Sequence, residues 1–392
     1  MADWPSGTGS AAELMALQLM LRLQRGPGRF VPIVMPAQGG LNGLSMSTVE
    51  AVRDAIKSSA PMHQALLSSD GSHAPAVLLR LLGPALQGLP DIFARPAVVR
   101  AGIVCGTDTA FDAGARARGA QHDVLIARSA WTRDVLASHG LDAVRQYGTG
   151  VDCTTFAPGQ KSADLADRFV IFSAGRLCYR KGQDLVLAAA KLFRARHPET
   201  LLLTCWQSPF PEQAVDIVRS GLVSSAPDYS GGQLRIVDWA MREGLPTDAI
   251  VELGTLSQLA LATLMNAADV ALFPNRAESD ANPHVLECMA KGIPTILSRN
   301  TGHRDVALPD YSWPLEQQGP LRGGATAGGT DGWGESSVDE IVEQLEWVYA
   351  NREAAREKAA RARAAVMPFD WATHAQRLAV LLAPIASRSR AA

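Results

Sequence analysis

The stretch Pro274-Asn-Arg-Ala-Glu278-Ser-Asp-Ala-Asn282-Pro-His-Val-Leu-Glu287-Cys-Met-Ala-Lys-Gly292-Ile-Pro294 concentrates several physical cues in one connection. It follows the apolar run Val270 to Phe273, which reads as a buried strand, and it runs into a helix. Pro283 suits the first helical turn, where a missing N–H costs nothing, and Gly292 suits the C-terminal cap. The amides of His284, Val285 and Leu286 then sit at a helix N-terminus and form an anion site that a diphosphate would fit. Glu278 on the loop and Glu287 in the helix flank those amides. Carboxylates accept hydrogen bonds from pairs of hydroxyls, such as those of a sugar or a ribose.

A second signal is Ser173-Ala-Gly-Arg176-Leu-Cys-Tyr-Arg180-Lys181-Gly-Gln-Asp184, again between a strand end and a helix. Open α/β sheets bind ligands at such strand ends. Arg176 and Lys181 are placed to clamp a departing diphosphate, since fixed cations stabilise charge that builds on a leaving phosphate. The alternative is a solvated basic loop with Asp184 as the cap of the following helix.

Working outward, apolar strand-like runs alternate with helical patterns almost throughout, which predicts βαβ units and parallel sheets. In the first half, Ser10 to Glu13 is a capping box opening a helix to about Gln24, and Phe30 to Met35 is a strand candidate. Ser47 to Glu50 repeats the capping signal. Val98 to Cys105 and Val124 to Ala127 read as buried strands, and Ala130 to His139 as a helix stopped by Gly140. The turn-rich segment Gly148 to Gly159 separates this half from a second series: strands at Phe169 to Phe172, Leu201 to Cys205, Ile250 to Leu253 and Val270 to Phe273, with helices at Asp184 to Arg196 and Ser257 to Asn266. The glycine-rich residues 318 to 335 read as a mobile surface loop. One charged helix is expected from Val338 to about Ala365, its basic residues forming a solvated face, and an apolar-periodic helix closes the chain.

Composition narrows the function classes. Hydrophobic residues at 47% and charged residues at 19% describe a globular chain, and 392 residues predict two domains. Lys+Arg 37 against Asp+Glu 39 leaves no global basic field, so no nucleic-acid partner is expected. The five cysteines form no C-x-x-C pair, which argues against a disulfide scaffold and a zinc site and for a reducing compartment. The most lipid-like stretch, Leu14 to Leu23, is interrupted by Gln18 and Arg22 and reads as neither signal peptide nor span. A cytoplasmic protein is expected, with peripheral membrane contact left open. Histidines His63, His73, His122, His139, His284 and His303 show no metal-ligand spacing.

Taken jointly, Gly175-Arg176 to Arg180-Lys181-Gly182, Gly150-Val-Asp152 to Phe156-Ala-Pro158, Leu253-Gly254 and the two-glutamate segment resemble glycosyltransferase family 4 of the GT-B superfamily. They span about residues 123 to 306 in that family's order. The resemblance implies an α/β, GT-B fold: two Rossmann-like domains facing a central cleft, with the final helix crossing back to the first. The expected domains are 1–157 on the acceptor side, 158–368 on the nucleotide-sugar side, and a crossing helix and tail at 369–392. It further implies a retaining hexosyl transfer from a nucleotide sugar, UDP- or GDP-linked, to a hydroxyl acceptor. No cofactor or metal is expected beside that co-substrate. Arg176 and Lys181 would contact the donor phosphates, Glu278 the transferred sugar and Glu287 the ribose, with Asn282 and the amides near His284 and Val285 on the diphosphate.

Two features depart from the family. Glu278 and Glu287 enclose eight residues where seven are usual, although some members share this longer form and its Asn282. Only Met1 to Pro5 precede Ser6-Gly7-Thr8-Gly9, so a first strand is missing from the expected pattern; Gly7 and Gly9 either bring backbone to the donor phosphates or belong to a flexible terminus. Asp108, after a strand end, is either an acceptor contact or the cap of the next turn. The alternatives to a transferase are a non-catalytic GT-B-like binding or scaffold protein and a sugar-nucleotide epimerase on the same fold.

Overall fold

The computed structural model describes residues 77–88 and 99–388 and most positions between 49 and 61. The expectations placed on Gly7, Gly9, the helix from Ser10 and the strand near Phe30 lie outside the described residues. The chain parts into two compact units, Met1–Gly150 with Pro368–Ala392, and Val151–Met367. The first division thus falls after Gly150, seven residues before the expected 157.

In the first unit four strands, β1 (Val77–Leu82), β2 (Val99–Val104), β3 (Val124–Ala127) and β4 (Val144–Gln146), form one parallel sheet in the order 1-2-3-4. Parallel strands need covering on both faces, and successive side chains supply both. On one face Val104, Leu125 and Ala127 pack with Ala115 of α1 (Ala113–Ala120) and Leu136 of α2 (Ala130–Ser138). On the other, Ala101, Ile103, Val124 and Ile126 pack with Trp371, Ala375, Leu378 and Leu382 of the C-terminal helix Trp371–Arg388. Those four contacts fall at helical spacing, and each large side chain buried there contributes roughly 1.5–3 kcal/mol. The helix is pinned by polar contacts too: the Tyr147 hydroxyl donates to the His374 carbonyl at 2.8 Å, and the His374 ring stacks on Tyr147.

The second unit holds a six-stranded parallel sheet: β5 (Phe169–Ala174), β6 (Thr200–Cys205), β7 (Ile250–Glu252), β8 (Val270–Phe273), β9 (Thr295–Ser298) and β10 (Trp313–Leu315). Their spatial order is 7-6-5-8-9-10. The chain starts at β5 in the centre, builds outward to β7, returns, and builds the other way from β8. This is the doubly wound order, and it leaves a crevice at the carboxyl ends of β5 and β8 where the order reverses. Every residue of β5, β8 and β9 is buried, because helices cover both faces. Those following β5, β6, β7 and β8 are α3 (Gln183–Arg194), α4 (Ile236–Arg242), α5 (Gln258–Leu264) and α6 (Pro283–Lys291).

The single charged helix expected after Val338 is two helices, α7 (Val338–Ala350) and α8 (Arg352–Val366); Asn351, at φ −121° and ψ 47°, breaks the path between them. The C-terminal helix Trp371–Arg388 is α9. Among the described residues no helix is long and apolar enough to cross a membrane. All five cysteines are free thiols.

Candidate functional site

The loops after β5 and β8 carry both sequence motifs, and the strand order places them side by side at the crevice. They are stitched together directly: the Arg276 amide donates to the Arg180 carbonyl at 2.8 Å, and the Arg180 guanidinium donates to the Ala277 carbonyl at 2.6 Å. Gly182 makes the approach feasible. It sits at φ 71°, and a Cβ there would lie 2.4 Å from the Pro274 carbonyl oxygen.

Glu278 is the centre of this arrangement. Its carboxylate is 2.5 Å from the Lys181 ammonium and 3.0 Å from the Arg180 guanidinium, and it also accepts from the Asn275 amide. Burial raises its pKa, but Lys181 and Arg180 outweigh burial and hold it well below the usual carboxylate range. Burial and the adjacent Arg180 pull the Lys181 ammonium down, with Glu278 opposing. Arg176 differs from both neighbours: among the described residues it makes no ion pair, and burial, then Arg180, lower its pKa. A cation held beside other cations with no carboxylate of its own is suited to receive an anion.

The start of α6 departs from expectation. The amides of His284, Val285 and Leu286 are not free: all three donate to Asn282, the first to its side-chain oxygen at 3.1 Å and the others to its carbonyl at 3.0 and 3.2 Å. Asn282 caps the helix from φ 59°, a sparsely populated conformation for a residue with a Cβ. The donor that remains is its own side-chain Nδ2, which is buried without a hydrogen-bond partner. Further along, His284 Nδ1 bonds a Glu287 oxygen at 2.7 Å and Gln258 donates to the other at 3.4 Å. Glu287 is thus oriented by two side chains at the start of α6 and α5.

Asp108 belongs to the first unit. Its carboxylate accepts from the Ala85 amide at 2.5 Å, so it caps a turn in which Ala85 has φ 52°.

The Glycosyl transferases group 1 family matches residues 159–312, which include both loops and both glutamates. Residues 159–312 are a glycosyl transferases group 1 domain. The chain is accordingly a glycosyltransferase. Among curated proteins none matches the sequence. Similar solved structures include a sucrose-phosphate synthase from Thermosynechococcus elongatus, 16% identical, with 99% of this chain and 96% of that one covered and a TM-score of 0.67. Anabaena HepE in complex with UDP and glucose is 13% identical, with 97% of each chain covered and a TM-score of 0.63. An α,α-trehalose 6-phosphate synthase from Burkholderia multivorans is 12% identical, with 88% and 78% covered and a TM-score of 0.56. The fold is GT-B.

Within the glycosyltransferase domain, sequence reasoning passed over several residues that shape the site. Arg276 is fully buried and holds Asp184 through two hydrogen bonds of 2.9 and 2.6 Å, Glu335 at 3.0 Å and the Tyr179 carbonyl at 2.6 Å. Asp184 is therefore an ion-pair partner rather than a simple cap. The Gly-rich residues expected to be a mobile loop are tied in by the same group: Glu335 is buried, the Gly334 amide donates to the Arg276 carbonyl, and the Gly323 amide donates to the Tyr179 hydroxyl. The turn after β9 also reaches the site. Thr301 Oγ1 accepts from the Glu278 amide and the Gly302 amide donates to the Glu278 carbonyl, each at 2.8 Å. A Cβ on Gly302 would stand 2.5 Å from the Asp280 nitrogen, so only glycine permits this contact. Beside it, His303 is fully buried; burial lowers its pKa to about 4 and keeps it neutral. No signal in the sequence links positions 301–303 to 278, because the contact is tertiary.

Proposed function

We propose that the protein is a retaining glycosyltransferase that moves a hexosyl group from a UDP- or GDP-linked sugar to a hydroxyl acceptor. The observation that carries this reading is the convergence, at the switch point of one doubly wound sheet, of an unpaired arginine, a cation-held carboxylate and a second oriented carboxylate. Arg176 and Lys181 would take the donor diphosphate, joined by the Asn282 side-chain amide in place of the helix amides, which Asn282 already occupies. Glu278, ionised and fixed by its two cations, would accept from hydroxyls of the transferred sugar. Glu287 would accept from the ribose. That Anabaena HepE was solved with UDP-glucose favours a uridine donor among the two.

In the transition state charge builds on the leaving diphosphate, and Arg176 and Lys181 are already charged, desolvated and in place, so little reorganisation is needed. The diphosphate would itself take up the acceptor proton, since no side chain is assigned as a nucleophile. The first unit is proposed to supply the acceptor, with Asp108 as a candidate contact, and the protein is expected to act in the cytoplasm without a metal.

The test is a calorimetric titration of UDP, GDP and ADP and their common sugar conjugates into wild type and Lys181→Ala, because a ligand bound only by the native state also raises its melting temperature. One nucleotide binding wild type and binding Lys181→Ala at least about tenfold more weakly supports the reading. Turnover with the matching donor should fall by about a hundredfold or more. Binding of no nucleotide by wild type would favour a non-catalytic scaffold instead, and transfer with inversion at the anomeric carbon would refute the stereochemical part.

A further inference from the structure

The opposite edge of the same sheet holds a second concave site. Where β5, β8 and β9 begin, a cavity of about 460 Å³ opens between those strand ends, the end of α6 and one face of α8. Five cations line it, Lys161, Lys291, Arg352, Arg356 and Arg363, against one carboxylate, Asp269. Lys161 and Asp269 satisfy each other at 2.5 Å. None of the other four is held in an ion pair among the described residues, and Arg352 alone of them acts on a carboxylate outside the cavity, Glu199. Lys291 donates to the Ala157 carbonyl at 2.9 Å, Arg363 to the Ala290 carbonyl, and Arg352 lies 5.1 Å over the Phe169 ring. Arg356 is exposed and makes no such contact.

Part of the basic face that the sequence of α8 suggests as solvated also lines this cavity. Arg352, Arg356 and Arg363 are four and seven residues apart, which puts them on one side of the helix, and that side lines the cavity. Lys291 is buried there, and burial, reinforced by Arg363, lowers its pKa. Like charges gathered around one cavity repel each other, and an anion bound among them relieves that repulsion. The cavity volume lies in the range of small-molecule sites, and its remaining walls, including Phe169, Met265 and Val348, are apolar. Arginine forks match the oxygens of a phosphoryl group in pairs, and four cations outside any ion pair suit a ligand of more than one negative charge.

We propose that this unit carries a second anion site, distinct from the donor loops, in which Lys291 and the Arg352, Arg356 and Arg363 face of α8 bind a phosphoryl group attached to a small molecule. The site lies at the far end of α6 from the Asn282 cap, roughly 13 Å along a nine-residue helix. It does not depend on the identity of the donor or on the chemistry at Glu278.

Inorganic pyrophosphate is the test ligand, titrated calorimetrically into the full chain carrying Lys181→Ala, so that binding at the donor loops is suppressed. Saturable binding is expected, weakened at least about tenfold by Arg356→Glu, which reverses an exposed charge that holds no structure, and largely kept by Arg356→Lys. Arg363→Ala should weaken it too; because that side chain also holds a backbone carbonyl, Arg356→Glu remains the deciding variant. Cosedimentation with phosphatidylglycerol vesicles, lost on Arg356→Glu, would assign the phosphoryl group to a lipid headgroup. Pyrophosphate binding without cosedimentation would assign it to a soluble molecule. No pyrophosphate binding by the Lys181→Ala chain, or binding that Arg356→Glu leaves unchanged, overturns the proposal.

Discussion

Replacing Arg276 by methionine should destabilise the glycosyltransferase unit far more than any exposed substitution. Arg276 and Asp184 are both 0% exposed at the side chain, and among the described residues the guanidinium is the only partner of the Asp184 carboxylate. Removing it leaves a buried charge uncompensated, which typically costs about 3–5 kcal/mol. Glu335 suffers less, since its other oxygen keeps Arg322 at 2.9 Å. The position of Asp184 in the first turn of α3 offsets the loss by less than about 1 kcal/mol through the helix dipole. For a unit of this size about 2–4 °C accompanies each kcal/mol, so the melting temperature of its transition should fall by about 6–20 °C. Urea unfolding followed by tryptophan fluorescence measures the loss, and Trp206 and Trp239 in the core of this unit report it. The double variant Arg276→Met/Asp184→Leu should recover most of the stability, because removing both partners leaves no orphaned charge. A single-variant loss below about 1 kcal/mol, or a double-mutant cycle with no coupling, would refute the reasoning.

Gly182→Ala should cost more than about 2 kcal/mol and weaken nucleotide binding in parallel, since the new Cβ would meet the Pro274 carbonyl oxygen at 2.4 Å from a φ of 71°; unfolding and calorimetry on one preparation check both. The rings of His303 and His374, each lowered to about 4 by burial, should stay neutral between pH 8 and 5 in an NMR titration, and a midpoint near 6.5 would contradict their environment. Because unfolding raises these pKa values, the unfolded chain binds more protons below about 6.5, so the two histidines withdraw stability as pH falls from there towards 4. Glu252 acts in the other direction: burial raises it to about 7, the native state holds the extra proton, and its contribution is lost as pH rises through 7. Asn282→Gly should leave stability nearly unchanged, a few tenths of a kcal/mol of capping being offset by relief of the positive φ, yet weaken donor binding; undiminished affinity would remove Asn282 from the phosphate site.

What the sequence revealed, and what it withheld, follows from the range of the interactions. Val270–Phe273 and Val124–Ala127 have the limits expected from apolar runs bounded by turns, and Pro283 and Gly292 bracket α6 because both act through their own backbone. The loops after β5 and β8 were legible as candidate ligand segments for the same local reason. That they meet was not, since it follows from the doubly wound strand order, which short apolar runs do not specify. The helix amides at His284 and Val285 were read as free because the sequence reading assigned that helix no cap; in the structure the Asn282 side chain takes the first and its carbonyl the second. Arg276 is the clearest omission. In sequence it is one more loop arginine between two motifs, with Asp184 and Glu335 92 and 59 positions away. Its importance comes from zero exposure and from four polar contacts that converge only after β5, β8 and the Gly-rich segment have assembled. The same logic separates the arginines of α8 from those of the site loops. A helical repeat identifies a shared face, but whether that face meets water or a cavity depends on what the sheet places against it, and here it places Lys291 and the start of β5, β8 and β9.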